Sequence, residues 1–386
     1  MHLSFAPLNI MILTHCAQCA APLDHTAPRC GICKTRYCGR PCQKQHWKQG
    51  GHKAICQEIK RGGGAEQYHA DKRCAEAVAA AVEACADDTK GQTCYICTQA
   101  LHWKTKEGLV RGCACRGTSG FVHVSCLAEQ AKILVAEAEE NNLGVEAMTE
   151  RLKRWYACRL CEQEYHGVVK CALGWACWKA YVGRPEEDQV HNMAIGQLGS
   201  GLSAADHDED ALSVQEAELA MMRRLGAPEG IVLVVQSNLA NTYAALGRDE
   251  EALLLKRDVH SATLKLYGEE HLETLLEANN YANALCSLER YAEAKALFQK
   301  TTPVARRVLG ESHELTLRMR WNYADALCRA DGATLDDICE GVTTLEEIEP
   351  TARRVLGSAH PLTAGIERSL RAVRAAIDRQ VRAHSA

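Results

Sequence analysis

Between Cys94 and Cys161, seven cysteines and one histidine fall into four pairs: Cys94 with Cys97, Cys113 with Cys115, His123 with Cys126, and Cys158 with Cys161. Thiolate and imidazole are zinc donors. Zinc takes four of them in a tetrahedron, so eight donors close two shells and leave no position for a substrate or an activated water. The chemistry this implies is structural, and no covalent catalytic residue is expected. In the interleaved arrangement usual for this order, Cys94, Cys97, His123 and Cys126 hold one ion, and Cys113, Cys115, Cys158 and Cys161 the other. Four clustered pairs argue against the alternative of buried thiols or disulfides.

Another constellation precedes it, made of Cys16, Cys19, Cys30, Cys33, Cys38, Cys42, His52 and Cys56. Again there are eight donors. His46 competes with His52 for the histidine place, and the short step from His52 to Cys56 favours His52. A finger of this size buries too little apolar surface to fold alone, so zinc must supply most of its folding free energy, roughly 10 to 16 kcal/mol per ion by peptide analogy. The total expected is four structural Zn2+ ions.

Two resemblances rest on these residues. Cys115-Arg-Gly-Thr118, Val122-His123, Cys126-Leu127, Leu160-Cys161 and Tyr165 make the stretch from Cys94 to Cys161 similar to the RING-CH (RING-variant) zinc finger of ubiquitin ligases. The single residue between Cys113 and Cys115, and the seven between Cys115 and His123, set it apart from a PHD finger. The resemblance implies a ubiquitin-conjugating enzyme as partner, with Ile96, Leu127 and Leu160 touching it. It also marks two departures: Gln130 stands where that family has a tryptophan, and Glu162 where active modules place a cation toward ubiquitin. Tyr37-Cys38, Cys42-Gln43, His46-Trp47 and Gly51-His52 make the stretch from Cys16 to Cys56 resemble a MYND finger, a module that docks proline-containing peptides. That resemblance implies Cys16, Cys19, Cys38 and Cys42 on one ion, and Cys30, Cys33, His52 and Cys56 on the other.

The rest of the chain must position these fingers. It has 386 residues, 47% of them hydrophobic, and a formal charge of −4, so ordinary cores are expected and nucleic acid is not. No aromatic ladder interleaves the basic residues of the MYND-like finger, as a single-strand binder would need. The 21 cysteines follow no secretory signal. Unpaired thiols and zinc thiolates suit a reducing interior, so the expected location is intracellular, cytoplasmic or nuclear. No membrane partner is expected, since no run of 18 apolar residues occurs. Ala65 to Ala86 is rich in alanine and predicts a helix acting as a semi-rigid spacer. Thirty-one residues separate Cys126 from Cys158, with helical patterns over Leu127 to Glu140 and Val145 to Trp155. Val168 to Val182 predicts a further helix with Trp175, Trp178 and Tyr181 in core positions.

From Met193 the chain repeats at 42 residues: Asn238-Leu-Ala returns as Asn280-Tyr-Ala and Asn322-Tyr-Ala. These residues resemble tetratricopeptide repeats of the kinesin-light-chain kind, which implies stacked helix pairs and a peptide-binding groove. Asn238, Asn280 and Asn322 form a ladder that either grips an extended peptide backbone or bonds neighbouring repeats together. His271, His313 and His360 recur three residues after a glycine, where helix capping is the expected role. The fold class is therefore mainly α, two small cross-brace zinc fingers followed by an α-solenoid. The expected order is a disordered tail (1–15), the MYND-like finger (16–56), a helical linker (57–93), the RING-CH-like finger with its insertion (94–166), a connecting helix (167–189) and the repeats (190–386). Together they predict an adaptor, either a RING-type ligase that holds its target in the repeats or a non-enzymatic scaffold.

Overall fold

The computed structural model describes residues 15–384 other than 22, 24, 25, 116, 331 and 359. The tail expected over 1–15 lies outside them except for His15, and so does Arg116 of the RING-like motif. Among the described residues there are fifteen α-helices and three isolated β-bridges, with no sheet. The chain divides into two compact units, 1–226 and 227–386.

In the first unit, α1 (Arg40–Lys48) and α2 (His52–Arg61) belong to the MYND-like finger. Helix α1 carries Pro41 in its first turn and buries none of its residues, while α2 buries His52, Cys56 and Ile59 on one stripe. The finger's small core is Cys16, Cys30, Cys33, Tyr37, Cys56, Ile59 and Ala65. Four of those seven are metal donors, which is why such a module depends on its ions.

Helix α3 (Ala65–Ala84) corrects the reading of this stretch as a spacer. It lies along α6 (Gly167–Tyr181) and buries Ala65, Ala70, Cys74 and Ala81. The reason is in α6, whose buried set runs from Val169 to Tyr181 with hardly a gap. A helix apolar on every side must be covered from every side. The cover comes from α3, from α4 (Val124–Glu140) and from α7 (Gln189–Ala204). Glycines set the α6–α7 distance: a Cβ on Gly174 would meet the Gln197 carbonyl oxygen at 2.7 Å, and one on Gly201 the Lys170 carbonyl oxygen at 2.9 Å. Asp188 caps α7 by accepting from Val190 N at 2.7 Å. The insertion between the third and fourth donor pairs is helical as expected, comprising α4, α5 (Val145–Leu152) and the 3-10 turn Lys153–Trp155. Helix α8 (Asp208–Arg224) completes the unit, so the first hairpin of the repeat region groups with the fingers and the unit ends at Gly226.

The second unit is a run of α9 (Glu229–Ala245), α10 (Asp249–Tyr267), α11 (Leu272–Ser287), α12 (Tyr291–Leu309), α13 (Glu314–Arg329), α14 (Leu335–Val355) and α15 (Pro361–His384). Each helix packs on its sequence neighbours, the nearest-neighbour pattern of a solenoid. Gly268, Gly310 and Gly357 take left-handed φ of +84°, +89° and +96° where the second helix of a pair ends. Three residues on, His271 caps α11 and His313 caps α13, and the His360 ring accepts from Leu362 N at 3.2 Å.

Candidate metal centres and docking residues

Four groups of donors come together, each with its ligand atoms within 4.8 Å of one another: Cys16, Cys19, Cys38 and Cys42; Cys30, Cys33, His52 and Cys56; Cys94, Cys97, His123 and Cys126; and Cys113, Cys115, Cys158 and Cys161. The interleaved pairing of both fingers follows from these sets. Their spacing tests whether zinc fits. Zn–S bonds of about 2.3 Å and Zn–N bonds of about 2.0 Å in a tetrahedron require S···S of about 3.8 Å and S···N of about 3.5 Å. The separations are 3.7 Å for Cys19–Cys38, 3.9 Å for Cys30–Cys56 and 3.7 Å for Cys115–Cys158. Those to nitrogen are 3.4 Å for Cys33 to His52 Nε2, and 3.4 and 3.6 Å for Cys97 and Cys126 to His123 Nδ1. A disulfide would need about 2.05 Å. The sets fit four structural zinc ions, which when bound cross-link segments that share little apolar core.

The two histidines present different nitrogens. His123 points Nδ1 at its thiols while Nε2 donates to the Ala100 carbonyl at 3.3 Å, a bond that fixes the tautomer and leaves Nδ1 free to ligate. His52 uses Nε2. Burial holds both rings below the usual imidazole pKa, and for His52 the nearby His46 adds to it, so both stay neutral as ligation requires. His46, the competitor in the sequence, sets its Nδ1 3.0 Å from the Tyr37 hydroxyl and stands in none of the four sets.

One turn is used four times. In each Cys-x-x-Cys pair the residue after the second cysteine is left-handed, at Ala20, Lys34, Thr98 and Glu162 with φ of 56°, 67°, 60° and 56°. Its N–H donates to the first cysteine's carbonyl, at 2.9, 3.0, 2.8 and 2.9 Å in that order. The knuckle leaves the residue before the second cysteine at its tip. Ile96 and Leu160 occupy this place in two of them, each donating its N–H to the first sulfur at 3.4 Å. Ile96 is half-buried and Leu160 is 52% exposed. The second centre of the RING-like module also needs Gly120, whose φ is +87° and whose added Cβ would fall 2.7 Å from Cys115 Cβ.

Leu127, expected to touch a conjugating enzyme, is 4% exposed. It lies on the inward stripe of α4 with Val124, Ala131, Val135 and Ala138, so helical phase places it in the core. Glu162 is exposed, and Arg154, brought in by the insertion and itself 9% exposed, donates to both its carboxylate oxygens at 3.3 and 2.9 Å. That contact has no sequence signal, because it joins an insertion residue to a knuckle. In the ladder, the Asn280 amide donates to Ser237 Oγ at 3.4 Å and the Asn322 amide to Asn279 Oδ1 at 2.9 Å. Both partners lie one repeat back, so these two amides bond neighbouring repeats together. Asn238 is half-buried on α9. Among the described residues, no helix is long and apolar enough to cross a membrane.

Comparison with known families follows the same order along the chain. The MYND finger family matches residues 16–56, the RING-variant domain residues 94–142, and two tetratricopeptide-repeat families residues 232–273 and 271–334. The RING-variant match ends before Cys158 and Cys161, which the geometry alone joins to Cys113 and Cys115. No curated protein matches the chain. Among solved structures, it is similar to the nearly identical kinesin-light-chain TPR-like repeats of Podosopora anserina, with 19% identity over 60% of this chain and 97% of that one and a TM-score of 0.36. It is also similar to BtubC (BKLC) from P. vanneervenii, with 13% identity over 66% and 91% and a TM-score of 0.34. The class these modules define is a zinc-binding protein-interaction adaptor. Its particular form is a MYND finger, a RING-variant finger and tetratricopeptide repeats, in that order.

Proposed function

We propose that this adaptor is a RING-type ubiquitin ligase. The observation that carries the reading is the pair of equivalent knuckles in the RING-variant module, which hold Ile96 and Leu160 at their tips on a zinc-braced frame. A ubiquitin-conjugating enzyme would dock there, while the repeats, with the MYND finger, hold a protein target. No group of this chain takes part covalently. Rate arises from holding the charged enzyme beside a target lysine, which is catalysis by proximity and orientation. The test is ubiquitination by the purified, zinc-loaded chain with a panel of conjugating enzymes. Ile96→Ala is expected to lower the rate at least tenfold while all four zinc equivalents remain.

The second reading, a scaffold that only binds proteins, is favoured by two observations. Gln130 offers no aromatic ring, and Glu162 is clasped by Arg154. Absence of ubiquitin transfer with every enzyme of the panel would establish the scaffold.

A further inference from the structure

The loop between the first two donor pairs of the RING-variant module carries an exposed tryptophan, its ring 6.0 Å from that of His102 beside it. Trp103 is 69% exposed and Leu101 58%. Tryptophan is enriched at protein-binding surfaces relative to the rest of a protein's exterior, and this loop is built against motion. His102 is 7% exposed and its ring stands 5.4 Å from that of His123, the zinc-site histidine. Its N–H donates to the Glu107 carbonyl at 3.0 Å, and its carbonyl accepts from Lys106 N at 2.9 Å. Thr105 N donates to His102 Nδ1 at 3.2 Å, and Thr105 Oγ1 lies between that nitrogen at 2.8 Å and Glu107 Oε2 at 3.0 Å. The Glu107 carboxylate then ties the loop to α4, accepting from Ser125 N and Ser125 Oγ at 2.7 Å each. Lys106 is held left-handed at φ 60°, a conformation that persists in a lysine only where its surroundings impose it.

We propose that Trp103 is a preformed anchor for the conjugating enzyme and selects among such enzymes. The inference rests on the ligase reading. Trp103 supplies, from the loop between Cys97 and Cys113, the aromatic residue lacking at Gln130 on α4, and is joined to Ile96 through Cys97 and His123. The charge around it states what kind of enzyme fits. Lys104 and Lys106 are exposed, and neither takes part in an ion pair among the described residues, while the loop's own carboxylate is consumed by Ser125 and Thr105. The complement is an apolar recess bordered by carboxylates. A rigid tryptophan entering such a recess loses little conformational freedom, which is what makes tryptophan a frequent centre of binding energy.

The experiment measures binding of purified conjugating enzymes, one at a time, to the full zinc-loaded chain by calorimetry, with Trp103→Ala, Lys104→Glu/Lys106→Glu and Ile96→Ala compared. All three sites lie outside the zinc donors, and four retained zinc equivalents confirm that each variant is folded. Enzymes that bind are expected to lose at least tenfold in affinity with Trp103→Ala and several-fold with the lysine reversal, the latter loss shrinking at high salt. Binding that needs Ile96 but is indifferent to Trp103 would overturn the inference and leave the ligase reading intact. Binding that needs Trp103 but is indifferent to both lysines would overturn the acidic recess. No binding by any enzyme would remove the ligase reading and this inference together.

Discussion

His46 and His52 sit one helix apart, and only one of them reaches a thiolate. Spacing could narrow the choice but the fold decides it, because Gly51, at φ 76°, starts α2 with His52 facing inward. His52→Ala should lower bound zinc from four equivalents to three, whereas His46→Ala should retain four and cost about 1 kcal/mol for the lost contact with Tyr37; elemental analysis and thermal melts distinguish them. The sixteen donors were legible because metal ligation is encoded in residue type and interval. Leu127 was not: an apolar residue next to a ligand reads the same whether it faces in or out until helical phase is known. Glu218 gave no signal either. It lies in α8 against Gly196, Oε2 has no hydrogen-bond partner, and burial lifts its pKa from 4.5 to about 8. Because the folded-state pKa is raised, its stability contribution is complete below about 4.5 and is lost as pH rises through about 8. Glu218→Gln should therefore melt with the wild type at pH 4 and above it at pH 8, by on the order of 4 kcal/mol, when the two proteins are unfolded side by side.

Among the elements, the repeated knuckle fixes the backbone at Glu162 whatever the side chain, as Lys34 at the same place of another knuckle shows. That position is first a left-handed turn residue, and its side chain is then free to be taken by Arg154. The solenoid was legible for a similar reason, since its glycines and histidines terminate and cap helices through local backbone geometry. Helix α3 was misread because alanine has high helix propensity but little hydrophobic contrast, so its sequence does not say whether the helix is bare or covered. The decisive information lay in α6, about a hundred residues on. The close α6–α7 crossing predicts that Gly174→Ala destabilises the first unit by about 2 kcal/mol, while Gly183→Ala, with nothing within 4 Å of the added carbon, changes little. Asn280→Ala and Asn322→Ala should each cost about 1 kcal/mol through the lost bond between repeats and leave peptide affinity unchanged, as urea melts and titration with a captured target peptide would report.

For the whole molecule, metal dependence should divide along the same line as the two compact units. None of the four donor sets lies beyond residue 226. Chelation is therefore expected to abolish the fingers while α9 to α15 keep their helical circular dichroism and melt in a separate transition. Within the MYND finger the two centres are unequal: Cys30, Cys33, His52 and Cys56 are all buried, whereas Cys19 and Cys38 are exposed. An oxidant arriving from solvent meets that outer pair before any other thiolate of the finger. Under peroxide the MYND finger should shed its zinc in sequence from the outside, the exposed centre emptying before the buried one.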